Sequence, residues 1–243
     1  MFIELVDALR CPVPHEDSWL VASAERTESR HIVTGTLGCP VCRAQFPIRR
    51  GVADLRLKRG EPDAASGSAP LAASELAPGD PTRAHPGAAP ISAGPGTMAP
   101  GTDEGVRLAA FLGLDDAVGV AVLCGRWGLH AHALRELVEL PLLLVDPPAR
   151  FSGEPGISVI RCDGPLPLAP AVARGMALDE GTDAARIASA VRATREGGRM
   201  VGPVTLPVPV SMRELARDDR VWVAEREREL PLVSLASRRR AGP

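Results

Sequence analysis

Two pairs of soft ligands stand near the start of the chain: Cys11-x-x-x-His15 and, after 23 intervening residues, Cys39-x-x-Cys42, with a proline directly after Cys11 and Cys39. Tetrahedral zinc takes four thiolate or imidazole ligands, and two tight turns carrying two ligands each assemble the set at low cost in chain entropy. The Cys-x-x-Cys pair is the stronger signal. The Cys-x-x-x-His spacing is looser, and His31 competes with His15 for the fourth position. Free thiols and a redox Cys-x-x-Cys are the alternatives, but a redox pair belongs at a helix start beside a βαβ unit, whereas Cys39 and Cys42 fall between two expected strands. Five cysteines, an odd number, argue against a disulfide framework.

A second constellation lies further on. Cys124-Gly125-Arg126-Trp127-Gly128 follows an apolar run and opens a helical pattern; Asp146 closes the next apolar run 18 residues after Gly128, and Asp163 closes the one after that. Glycines at a strand-to-helix turn let backbone N–H groups approach a ligand, and an acid at about 20 residues' distance is where a ribose hydroxyl is met. Gly125, Gly128, Asp146 and Asp163 are therefore candidate nucleotide-cofactor contacts. Each also has a plain reading, as turn glycines or as acids that solvate strand ends. His130 and His132, two apart, share no helix face. Cys124 and Cys162 read as buried thiols, Asp179 and Glu180 as a possible substrate edge, and Arg238-Arg239-Arg240 as a solvated tail.

The elements that must position these residues fall into three blocks. In residues 1–58 we expect a short helix (Ile3 to Leu9) and strands around Trp19 to Ser23, His31 to Leu37 and Phe46 to Ile48. So small a core supplies only ~3–5 kcal/mol, and a metal would staple it. In residues 59–102 the composition collapses: of the 40 residues from Glu61 to Pro100, 28 are Ala, Gly, Pro or Ser. Such a stretch buries too little apolar surface to offset its ordering entropy and reads as a flexible linker.

Residues 103–243 alternate helices with short continuous apolar strands. The helices are expected over Asp103 to Leu112, His130 to Leu140 and Thr182 to Thr194. The strands are expected over Val118 to Leu123, Leu142 to Val145, Ile157 to Ile160, Val172 to Leu178 and Met200 to Val204. Ser211-x-x-Glu214 reads as a capping box opening a last short helix, followed by an antiparallel pair, Val221 to Val223 with Leu232 to Leu235. This alternation indicates an α/β domain with a parallel sheet covered on both faces.

Two resemblances follow. Leu9-Arg10-Cys11-Pro12, Trp19-Leu20-Val21, Gly35-Thr36-Leu37-Gly38-Cys39-Pro40-Val41-Cys42 and Phe46-Pro47-Ile48 with Gly51-Val52 resemble the small zinc-ribbon family that activates methyltransferases. That family usually places Cys-x-x-Cys in both knuckles, so His15 is a departure. The stretch Asp163-Gly164-Pro165-Leu166-Pro167-Leu168 and the turn Arg195-Glu196-Gly197-Gly198-Arg199-Met200-Val201 resemble the later motifs of S-adenosylmethionine-dependent methyltransferases, a Rossmann-like fold. The resemblance implies that Gly125 and Gly128 line the methionine part of the cofactor, Asp146 its ribose and Asp163 its adenine. The family's first motif reads acid-x-Gly-x-Gly-x-Gly; here the acid and one glycine are missing, and Arg126 and Trp127 stand in the turn. The readings that result are a methyltransferase-like protein with zinc and S-adenosylmethionine as cofactors and an unknown acceptor, or a non-catalytic adaptor whose ribbon docks a protein partner.

Composition excludes other classes. Aromatics make up 3% with no tyrosine, which removes the ring platform of single-strand nucleic-acid binders. A net charge of −2 removes a broad phosphate-binding surface. No apolar run approaches a membrane span and the first residues carry an acid where a secretory signal is basic, so the expectation is a soluble, cytoplasmic protein without a membrane partner.

Overall fold

The computed structural model describes residues 1–57, 102–115, 118–148 and 151–227. The expected linker, apart from Thr102, and the stretches at Leu232 to Leu235 and Arg238 to Arg240 lie outside them.

The first block contains a 3-10 turn (Ile3–Ala8) and four strands: β1 (Val21–Glu28), β2 (His31–Gly38), β3 (Gln45–Arg49) and β4 (Val52–Asp54). Then follow α1 (Thr102–Leu112), β5 (Val120–Cys124), a second 3-10 turn (Gly125–His130), α2 (Ala131–Leu137), β6 (Leu142–Val145), β7 (Ile157–Arg161), β8 (Ala173–Ala177) and α3 (Ala184–Ala193). The last described elements are β9 (Thr194–Pro203), β10 (Met212–Arg217) and β11 (Val221–Arg226). The all-apolar run of β6 is buried at every position, as a central parallel strand must be when both of its faces are covered. Helix α3 begins where Asp183 caps it, its carboxylate accepting the Arg186 amide at 2.7 Å.

Among the described residues, eleven strands form one sheet in the order β1-β2-β3-β4-β7-β6-β5-β8-β9-β11-β10. The five central strands β7-β6-β5-β8-β9 are parallel, and in their own sequence order they run third, second, first, fourth, fifth. Strand order therefore reverses between β5 and β8. The pleat sorts the core into two layers: Val120, Val122 and Cys124 of β5 face one side, where Leu37 and Ile48 of the first block and Ala190 of α3 pack. Ala121 and Leu123 face the other, beneath Leu112 of α1 and Leu134 of α2.

The first block does not stand apart. Strand β4 pairs in parallel with β7 (Val52 with Val159, Asp54 with Arg161), and Leu55 donates to the Arg161 carbonyl at 2.7 Å. The 3-10 turn is tied to the loop after β7 by Arg10 N–H to the Pro167 carbonyl and Ala169 N–H to the Ala8 carbonyl. Residues 1–57 and the described residues from 102 to 227 pack as one compact unit. The small first block, expected to need a metal staple, also buries its apolar side chains in one core with the central strands.

Other expectations are corrected as well. Ser211-x-x-Glu214 opens no helix: Met212–Arg217 is an edge strand paired antiparallel with β11, and Glu214 binds Arg217 at 2.8 Å instead of reaching back to an amide. Pairing with Val221–Arg226 buries Met212 and outweighs the local capping preference. Val221 to Val223 consequently pairs with β10 and β9. Helix α2 spans Ala131–Leu137, because the preceding residues wind as a 3-10 turn and Val138 is already extended. Strand β9 begins at Thr194, six residues before Met200. Trp19 lies outside β1, in an isolated bridge to Arg10.

Candidate cofactor cleft and metal centre

The metal-ligand candidates converge. The ligand atoms of Cys11, His15, Cys39 and Cys42 all lie within 4.8 Å of one another. Cys11 Sγ and Cys42 Sγ are 3.7 Å apart, and Cys39 Sγ lies 3.4 Å from His15 Nε2. Four ligands about 2.0–2.3 Å from a central zinc ion stand roughly 3.3–3.8 Å apart, so the separations fit a tetrahedral site that could hold zinc. His15 Nδ1 contacts the Glu16 carbonyl, which fixes the ring with Nε2 toward the sulfurs. His31 lies elsewhere, at the start of β2 beside the Phe2 ring, with Nδ1 on the Ser29 carbonyl. Burial pushes the Cys11 thiol up to about 12. Burial also works to raise Cys39, but the Cys42 and Val41 amides overcome it and hold that thiol down to about 6, the usual thiolate-stabilising work of a knuckle turn.

The second constellation sits where strand order reverses, the position at which open parallel sheets receive ligands. Here the ends of β5, β6 and β8 form a cleft of about 240 Å³ lined by Cys124, Gly125, Asp146, Asp179 and Arg186, among others. Gly125 turns the chain sharply, at φ +55°, and a Cβ there would collide with the Asp179 carboxylate. Gly128 is the packing glycine: a Cβ would sit 2.9 Å from the Pro147 ring. Asp146 adopts the left-handed region at φ +49°, uncommon for a residue with a side chain and tolerated best by Asp and Asn. Asp163, at the end of β7, is exposed and lies outside the lining of this cleft.

Arg126 and Trp127 do not fill the opening. The Trp127 ring is partly buried among the residues beneath α1 and α2, and its indole N–H donates to the Leu178 carbonyl at 2.7 Å. Arg126 folds over the rim to Asp179 (3.2 Å) and Glu180 (2.9 Å). Asp179 also accepts the Arg126 amide at 2.9 Å, so an internal carboxylate already sits on the donor that the glycine turn presents.

One further residue, unnoticed in the sequence, reaches across the cleft. From the first turn of α3, Arg186 donates to Asp146 Oδ2 (3.2 Å), to the Cys162 carbonyl (2.8 Å) and to the Gly164 carbonyl (2.8 Å). The signal that could have found it was Asp183, an N-cap residue whose position puts Arg186 in the first helical turn. Burial raises the thiol of Cys124 and pushes Cys162 up to about 12, so both are neutral and poor nucleophiles. His130 packs its ring against Trp127, and His132 points to Glu154 at 3.7 Å, away from any ligand set.

No family model matches this chain, and no curated protein does. Among solved structures it is similar to a geranyl diphosphate methyltransferase in complex with GPP and sinefungin, at 18% identity and a TM-score of 0.37, over 42% of this chain and 44% of that one. The same enzyme in complex with SAM matches at 16% identity and a TM-score of 0.33, over 42% and 48%. The T. thermophilus 16S rRNA N2 G1207 methyltransferase in complex with AdoMet and guanosine matches at 19% and 0.28, over 50% and 38%. This chain thus spans less than half the length of each. At these TM-scores the likeness carries no weight by itself, and the fold rests on strand order. Among the described residues no helix is long and apolar enough to cross a membrane.

Proposed function

We propose that the chain is a methyltransferase-like protein that binds S-adenosylmethionine in the cleft between β5 and β8 and zinc at Cys11, His15, Cys39 and Cys42. The observation that carries the cofactor reading is the reversal of strand order with a glycine turn and an acid on adjacent strand ends, Gly125 on β5 and Asp146 on β6. The groups lining the cleft suit a nucleoside, with Asp146 for the ribose hydroxyls and the turn after β5 for the amino-acid end; Asp163, outside the lining, would meet adenine only beyond the cleft's edge. The space suits it less well, since 240 Å³ falls below the ~300–1,000 Å³ of most small-molecule sites. When bound, the cofactor supplies a methyl group on a sulfonium, and the protein's share of such a displacement is orientation and exclusion of water. The methyl acceptor is left unassigned.

Titration calorimetry with S-adenosylmethionine and its demethylated product tests this. Micromolar binding that disappears in Asp146→Ala is the expected result. Absence of binding at millimolar ligand removes the cofactor reading.

A second reading is favoured by a specific observation, namely that Asp179 and Arg186 already satisfy the turn amide and Asp146. In that reading the domain is a non-catalytic scaffold, and the ribbon docks a protein partner through its exposed Trp19, Val21 and Val41, beside a groove that Val21, Cys39 and Pro40 help to line.

A further inference from the structure

We propose that Arg186 is a latch on the cofactor cleft: its guanidinium holds Asp146, the carboxylate assigned above to the ribose, so that latch and cofactor exclude one another. The inference rests on the cofactor reading and concerns how the same site is controlled.

Geometry carries it. The guanidinium spans the ends of two strands, with Nη1 on Asp146 after β6, Nη2 on the Cys162 carbonyl after β7, and Nε on the Gly164 carbonyl one turn further. Its side chain is 19% exposed, so it lies in the cleft and not over it. With Oδ2 of Asp146 accepting from Arg186 and Oδ1 from the Cys162 amide at 3.2 Å, the two ribose hydroxyls must compete with the guanidinium for the same carboxylate. Arg186 forms part of the wall of this cleft of about 240 Å³, and withdrawing its side chain moves the cleft toward the size of an ordinary ligand site.

The loops that flank Arg186 are open at Gly164 and Gly181, where an added side chain would meet nothing within 4 Å. Of the guanidinium's four acceptors only Asp146 is charged; two are the Cys162 and Gly164 carbonyls and the last is the Cys162 sulfur at 3.7 Å, so the pair with Asp146 is the main contact that must break. A ligand whose competent state is a minor fraction binds with its affinity reduced by that fraction. Latch and ligand then form a competitive pair within one molecule.

The test compares S-adenosylmethionine binding by calorimetry in the full chain and in Arg186→Gln and Arg186→Ala, with melting curves recorded for each. The Gln variant keeps an amide donor for the loop carbonyls while removing the positive charge that pairs with Asp146, which protects the fold if the Ala variant loses it. Tighter binding by about tenfold or more is expected in the variants, and the gain should vanish when Asp146→Ala is added to Arg186→Gln. Equal affinity in wild type and variants overturns the latch while leaving the cofactor reading intact. No binding in any of them at millimolar ligand overturns the cofactor reading, and the latch with it.

Discussion

At the scale of single residues, the site divides into groups that hold the turn and groups that face the cleft. Trp127 belongs to the first set: its indole N–H is the tie to β8, and its ring is packed in the core. Trp127→Phe should therefore lower stability by about 1 kcal/mol, the net worth of one hydrogen bond, as read by urea denaturation, and leave ligand affinity unchanged. An affinity change in that variant would return the ring to the cleft. Cys42, exposed at the knuckle, is the metal-site residue with least other packing to lose. Purified protein should carry about one zinc per chain by elemental analysis, and Cys42→Ser should reduce that content well below one. A metal-free wild type removes the centre.

At the scale of elements, the two decisive facts concern pairing. Strand β4, three residues long, joins the first block to β7, and Leu55 immediately after it is fully buried. Leu55→Ala should cost about 2–5 kcal/mol, as core truncations of this size do, and the loss should appear in the unfolding of the whole unit and not of the ribbon alone. Ser211 separates two readings of its segment. As a helix cap, its replacement by Ala would cost about 1 kcal/mol. Placed just before an edge strand and exposed, it should cost under about 0.5 kcal/mol, measured by the same denaturation.

At the scale of the whole molecule, the buried amino group of Met1 stands between the Ile32 and Gly51 carbonyls. Burial lowers it from its ordinary value to about 5, and burial lowers His31, beside it, as well. Between pH 5 and 8 the unfolded chain binds the protons that the folded chain refuses, so stability must rise with pH through this window and be complete above it. With zinc held at saturation, the melting temperature should climb from pH 5 to pH 8. A flat profile there would show that the amine is solvated. Chelation of the metal should lower one shared melting transition instead of splitting it, because the ribbon and the α/β strands contribute to one core.

Much of the molecule is legible in its sequence because the signals are local. Uninterrupted apolar runs such as Leu142 to Val145 specify buried parallel strands, and the Cys and His spacings narrow the ligand set to three cysteines with His15 or His31, a choice that the structure makes for His15. What local signals cannot carry is pairing between distant segments. Whether Met212–Arg217 is helix or strand depends on β11 lying alongside it, and the joining of the first block to the central sheet depends on β4 finding β7, more than 100 residues away. The state of the cleft is of the same kind. The glycine turn and Asp146 were readable as chemistry, yet Arg186 and Asp179 reach them from other elements. A carboxylate's type is written in the chain, whereas the partner that claims it is decided only when packing brings distant side chains within bonding distance.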